Sequence, residues 1–207
     1  MNQLRRMIAG GLLAYWGAIC PLAAAAQEPS AWAVYIGTRG DDTRGIFRTV
    51  LNATEGTLTE PELVAETTSP AFLAIHPNRR FLYAVGDAGL VDGNPIGAVI
   101  AFAIDPESGK LARLNHELSG GRGPCHLIVD QAGRNVLVAN YWTGTAAVLP
   151  IEPDGRLRPA SSVVRHTGVG VHPKRQTGPH AHSINLDPAN RFAFVADLGL
   201  DQVFVYR

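Results

Sequence analysis

Cysteine is almost absent from this 207-residue chain; there are two, Cys20 and Cys125. Cys20 falls in the N-terminal leader read below, so the mature chain keeps one thiol and cannot close an internal disulfide. Charge is scarce at 17% of residues and is balanced, 18 Lys+Arg against 18 Asp+Glu. A neutral chain lacks the basic footprint of a nucleic-acid binder, so no nucleic-acid partner is expected. After the leader there is no long stretch with a 3.6-residue apolar period, which argues against helices. What is present is a 46% hydrophobic composition, globular rather than disordered. Twenty-two glycines and 14 prolines suit many short strands joined by tight turns.

Residues 1–26 read as a signal peptide. Arg5 and Arg6 supply the positive start, Ile8 to Leu22 a mostly apolar stretch, and Ala24-Ala25-Ala26 a small-residue cleavage site. The stretch is interrupted by Gly10, Gly11, Gly17 and Pro21 and falls short of the roughly 20 apolar residues of a membrane span. The mature protein, 27–207, is therefore expected to be exported to the periplasm, with no membrane contact after cleavage.

The remaining chain repeats. Pro70 to Gly86, Pro124 to Asn140 and Ser183 to Asp197 can be superposed as strand, turn and strand, and their matching arginines Arg80, Arg134 and Arg191 lie 54 and 57 residues apart. A second element recurs between them: a strand followed by Gly-x-Leu, at Gly56, Gly109 and Gly155. The segments are short, rich in Val, Ile, Phe and Tyr, and often apolar on both faces, as in strands covered on both sides. Units of about 40 to 50 residues with four strands mark propeller blades. The predicted fold is all-β, a propeller of four-stranded antiparallel blades. A partial first unit with three strands, Ala33 to Thr38, Gly45 to Asn52 and Leu63 to Thr68, lies within Trp32 to Thr68, two full units span Pro70 to Leu118 and Pro124 to Arg165, and a fourth begins at Ser183, about three and a half blades in all. An open half-ring leaves unpaired edges, so the chain is expected to be a fragment of a longer protein, with a second copy as the other solution.

Inner strands of a propeller line its central channel, and loops at one end build the site. The densest polar cluster there is Arg175 to Ser183, with Arg175, Gln176, His180 and His182. His180 and His182 alternate, so an extended chain puts both on one face. Arg175 offers a planar fork for a carboxylate or phosphate. His126 stands two residues after Pro124, and Phe72 corresponds to it in the preceding unit. Asn140 and Asp197 follow the second strands of their units, where such residues also bond their own backbone in turns. His76, His116, His166 and His172 read as structural or solvent-exposed. His-x-His on a strand can chelate zinc, but neither a cysteine pair nor His-Glu-x-x-His accompanies it, so no metal and no cofactor are expected.

Tyr35-Ile36-Gly37-Thr38, Pro70 to His76, Gly123-Pro124-Cys125-His126, Ala139-Asn140-Tyr141, Arg175-Gln176, Pro179-His180-Ala181-His182 and Asp197-Leu198-Gly199-x-Asp201, in that order, resemble the seven-bladed lactonase propeller family. That family includes 6-phosphogluconolactonases and carboxymuconate-lactonising enzymes. The resemblance implies seven blades, of which this chain would supply the N-terminal half, and a hydrolase opening a small, sugar-derived, anionic lactone. In that reaction His182 or His126 is the expected base and Arg175 the group that meets the substrate anion or the oxyanion. His180, Gln176, Asn140 and Asp197 are expected to bind substrate. The leader departs from the cytosolic setting of the phosphorylated substrate, and the alternative is a non-catalytic exported propeller serving as a binding or assembly scaffold.

Overall fold

The computed structural model of the protein describes residues 30–40 and 45–207. The expected signal peptide lies outside the described residues. Those residues form fifteen strands in four antiparallel sheets. The first sheet holds β1 (Ala31–Gly37), β2 (Ile46–Asn52), β3 (Thr57–Leu58) and β4 (Glu62–Ala65). Here β3 and β4 both pair with the far edge of β2, so the sheet has three strand positions, as the sequence led one to expect. The second runs β5 (Leu73–Ile75), β6 (Phe81–Val91), β7 (Asn94–Ile104), β8 (Leu111–Leu118); the third β9 (Pro124–Val129), β10 (Asn135–Asn140), β11 (Thr145–Pro150), β12 (Ser162–Arg165). The fourth has β13 (Ala181–Leu186), β14 (Ala193–Asp197) and β15 (Gln202–Tyr206). The second, third and fourth sheets are meanders in chain order, the propeller blade predicted from the repeat, and the first departs only in that β3 and β4 share one edge of β2.

The sheets stack because their middle strands are apolar on both faces. Along β6, Phe81, Tyr83 and Val85 pack toward the third sheet, while Leu82 and Ala84 pack toward the first. Along β10, Val136 and Val138 face the second sheet, and Leu137 and Ala139 the fourth. Period-two alternation puts successive side chains on opposite faces, so one apolar strand serves two cores at once. Each fully buried side chain of this kind contributes about 1.5–3 kcal/mol. On the end sheets, Trp32 and Ile36 and, at the other end, Val203 and Val205 remain exposed.

The recurring motifs turn out to be the fasteners of this stack. Two of the three Gly-x-Leu leucines enter the seams, Leu111 between the first and second sheets and Leu157 between the second and third, while Leu58 on the end sheet stays exposed. The glycine carbonyls accept hydrogen bonds from tyrosines of the preceding sheet, Tyr35 to Gly109 at 2.8 Å and Tyr83 to Gly155 at 3.0 Å. Asn115 reaches across to both the carbonyl and the N–H of Leu157. At the opposite turns Asp187 accepts from the N–H groups of Phe192, Arg191 and Ala189, which hold its carboxyl below the ordinary carboxylate range. Asp130 likewise accepts from the Arg134 N–H.

Gly155 and Gly56 occupy matching turns at φ +87° and +68°, but a Cβ on Gly155 would meet the Phe81 ring at 2.3 Å, whereas one on Gly56 meets nothing within 4 Å. Gly56→Ala should therefore cost only the left-handed backbone penalty, about 1–2 kcal/mol. Gly155→Ala should cost about 1–3 kcal/mol more, through overpacking of the seam. Urea unfolding of the two variants measures the difference, and equal losses would argue against the seam.

Candidate active site

The inner strands reach the centre with a shared irregularity. In β9, His126 pairs with Ala139 and Pro124 with Asn140, which leaves Cys125 as an extra residue. In β13, Ser183 pairs with Ala196 and Ala181 with Asp197, which leaves His182 as the extra residue. Bulges of this kind re-aim a side chain out of the strand's alternation. In β5, Leu73 pairs with Ala84, so Ala71 holds the corresponding place. Ala71, Cys125 and His182 all line one cleft of about 790 Å3. The repeat partner of His182 is therefore Cys125, and that of His126 is Ser183.

Above this floor stand Arg39, just after β1, Asp87, in the part of β6 that outruns its sheet, and Tyr141 and Trp142, just after β10, together with Arg122 and Arg175, which precede the inner strands. The β6–β7 hairpin extends past its sheet neighbours and adds Asn94, whose side-chain amide oxygen accepts from the Arg122 guanidinium at 2.7 Å. Three guanidiniums and one carboxylate thus share the cleft. Among the described residues, neither Arg39 nor Arg175 has an ion pair.

The expected site residues separate into two groups. His182 and Arg175 line the cleft. The His182 ring meets Tyr141 edge-on at 5.5 Å and has no hydrogen bond among the described residues. His126 sits behind it, against Phe72 at 4.3 Å between ring centroids. Burial, and then the charge of His182, hold His126 below the ordinary histidine range. Its Nδ1 accepts from the Ile184 N–H at 3.3 Å, so the proton of the neutral ring rests on Nε2 and no lone pair is left to take another.

The other four are engaged within the fold, and none of them lines the cleft. Gln176 accepts from the His172 N–H and donates to the Leu198 carbonyl, which braces the loop that presents Arg175. His180 donates from Nδ1 to the Tyr141 carbonyl at 3.0 Å and stacks on the Tyr141 ring at 4.4 Å. The His180 and His182 rings thus both contact Tyr141, one stacked and one edge-on. Asn140 is fully buried and bonds Ser119 and Thr145. Asp197, also buried, accepts from His166 Nδ1 at 2.6 Å and from the N–H groups of His180 and Leu200. Among the described residues no group of three His, Cys, Asp or Glu side chains is arranged to hold a metal.

Sequence reasoning missed Arg39, Asp87 and Arg122. Arg39 lies in Gly37-Thr38-Arg39-Gly40, just after β1. Its position at a strand end was the available signal, the same one that drew attention to Asn140 and Asp197. Asp87 lies within β6 and carries no such signal.

Stacked four-stranded meanders around a polar central cleft define a β-propeller. The chain matches the family described as Lactonase, 7-bladed beta-propeller, over residues 33–207, and it belongs to that family. It is 38% identical over 177 residues to a 6-phosphogluconolactonase of Bacillus subtilis, covering 84% of this chain and 49% of that protein. It is 30% identical to a 6-phosphogluconolactonase of Formosa agariphila, over 72% of this chain and 42% of the relative. Among solved structures it resembles the periplasmic gluconolactonase of Pseudomonas aeruginosa with a TM-score of 0.78 and 32% identity, over 86% of this chain and 50% of that one. The chain spans about half the length of the relatives it matches.

Burial pushes the Cys125 thiol up to about 11, with Arg39 pulling the other way. Its sulfur lies 3.5 Å from the carbonyls of Ala181 and His182. The nucleophilic form is the thiolate, so at pH 8 alkylation of Cys125 by iodoacetamide should run about a hundredfold slower than that of a free cysteine. A rate equal to the free amino acid's would show that the thiol is not withdrawn from water.

Proposed function

We propose that the protein is a hydrolase that opens a small anionic lactone. The observation that supports this most directly is an unpartnered imidazole, His182, in one cleft with the guanidiniums of Arg39, Arg122 and Arg175. Ring opening needs a water made nucleophilic, an acceptor for its proton, and donors for the carbonyl oxygen as it gains charge. His182 takes the proton from water as the new C–O bond forms at the lactone carbonyl. Arg175 meets the developing oxyanion, or the substrate's anionic group, with its planar fork. When the tetrahedral intermediate collapses, the ring C–O bond breaks and the imidazolium returns the proton to the departing alkoxide. The product is the open hydroxy acid. His126 is placed behind the base rather than as one, since its Nδ1 already accepts a hydrogen bond.

The remaining residues support this scheme indirectly. His180 and Gln176 order the loops on either side of Arg175 and Tyr141, and Asn140 and Asp197 fix the ends of their strands. We read residues 1–26 as a leader that exports 27–207, a partial propeller, to the periplasm. The leader's composition supports that reading, as does the likeness to a protein described as a periplasmic gluconolactonase. The relatives named 6-phosphogluconolactonase support the same lactone chemistry. A purely scaffolding role would leave the clustered guanidiniums and the free imidazole unexplained.

The purified protein should accelerate opening of glucono-δ-lactone or its 6-phosphate above the spontaneous rate, followed by proton release. His182→Ala should lower kcat by at least about a hundredfold with the β-sheet circular dichroism unchanged. An unaltered kcat would remove His182 from the role of base.

A further inference from the structure

Asp87 is the one carboxylate among the residues lining the cleft. It sits where β6 runs past the sheet, opposite Gly97 of β7. Among the described residues its carboxylate has neither a hydrogen bond nor an ion pair, although three guanidiniums line the same cleft. Burial alone pushes its carboxyl up, with no compensating charge. An ionised carboxylate offers only acceptors, and a guanidinium only donors. The cleft therefore presents donors from Arg39, Arg122 and Arg175 and acceptors from Asp87.

A ligand complementary to that pattern carries a carbonyl or an anionic group for the guanidiniums and hydroxyl donors for Asp87. Hydroxyls bonded to a carboxylate are charge-assisted and short. They also relieve the cost of a partly buried acceptor left unmet. We propose that Asp87 is a specificity-determining residue that selects polyhydroxy lactones over unsubstituted ones by accepting hydrogen bonds from their ring hydroxyls. This inference rests on the lactone-opening reading. It assigns Asp87 no part in moving the proton, which stays with His182, so its effect depends on the substrate. Asp87 as a base would affect every lactone alike.

The experiment compares kcat/KM on glucono-δ-lactone and on δ-valerolactone for the wild type, Asp87→Ala and Asp87→Asn. Asp87→Ala should lose at least about tenfold on the polyhydroxy substrate and stay within about twofold on the plain one. Asp87→Asn, which keeps one acceptor oxygen, should lie between. Equal losses on both lactones, or none on either, overturn the proposal. If the wild type opens neither of these neutral lactones nor 6-phosphoglucono-δ-lactone, the proposed activity itself is wrong. Whenever the wild type fails to open both neutral lactones, calorimetric titration with D-gluconate as the probe decides the role of Asp87. Binding at least about tenfold weaker in Asp87→Ala than in the wild type sustains the role; equal binding, or none to the wild type, overturns it.

Discussion

Everything in this molecule depends on strands that are buried on both faces. Phe81 to Val85 and Val136 to Ala139 each feed two cores, so no sheet among the inner pair has a solvent side. Such a strand cannot be placed at the surface without exposing half of its apolar side chains. The stack follows from that requirement, and the cleft follows from the stack. Once sheets lie face to face, their inner strands are brought side by side, and the residues at the ends of those strands share a space.

The seams are closed by directional contacts as well as apolar ones. The Tyr35 and Tyr83 hydroxyls reach the glycine carbonyls of the next sheet, and Asn115 satisfies both backbone groups of Leu157. A buried polar group left without a partner is costly, so these contacts help define a single register between neighbouring sheets. The same economy appears at the site. Asn140, Asp197, His180 and Gln176 hold backbone and side-chain groups in place, and the residues they hold, Tyr141 and Arg175, are the ones that face the cleft. The buried Asp197–His166 contact, continued from His166 Nε2 to the Tyr206 hydroxyl, ties the end of one strand to the edge of the fourth sheet.

The propeller was legible because its signals are local and repeated. Arginine-marked turns, Gly-x-Leu corners and doubly apolar strands each recur at blade spacing, and a recurring signal is hard to mistake. The three strand positions of the first unit could be read for the same reason. Site residues do not repeat in this way. His182 and Arg175 stood out because they are chemically conspicuous. Arg39 is a single polar residue at a strand end, a place that turn residues also occupy, and Asp87 is a single polar residue within a strand. The bulges at Cys125 and His182, each one residue inserted into one strand against its partner, have no signature in the sequence.

Composition and periodicity alone settled that the chain is all-β, that its inner sheets are covered on both faces and that its units succeed one another in a stack, because these depend on side-chain hydrophobicity at short, regular spacing. Tertiary structure alone decided which polar side chains meet. Residues 39, 87, 122, 175 and 182 are far apart in the chain and become neighbours only when four sheets pack about a common centre. Whether a histidine's nitrogens are free, or an aspartate's oxygens already bonded, is likewise decided by partners many residues away.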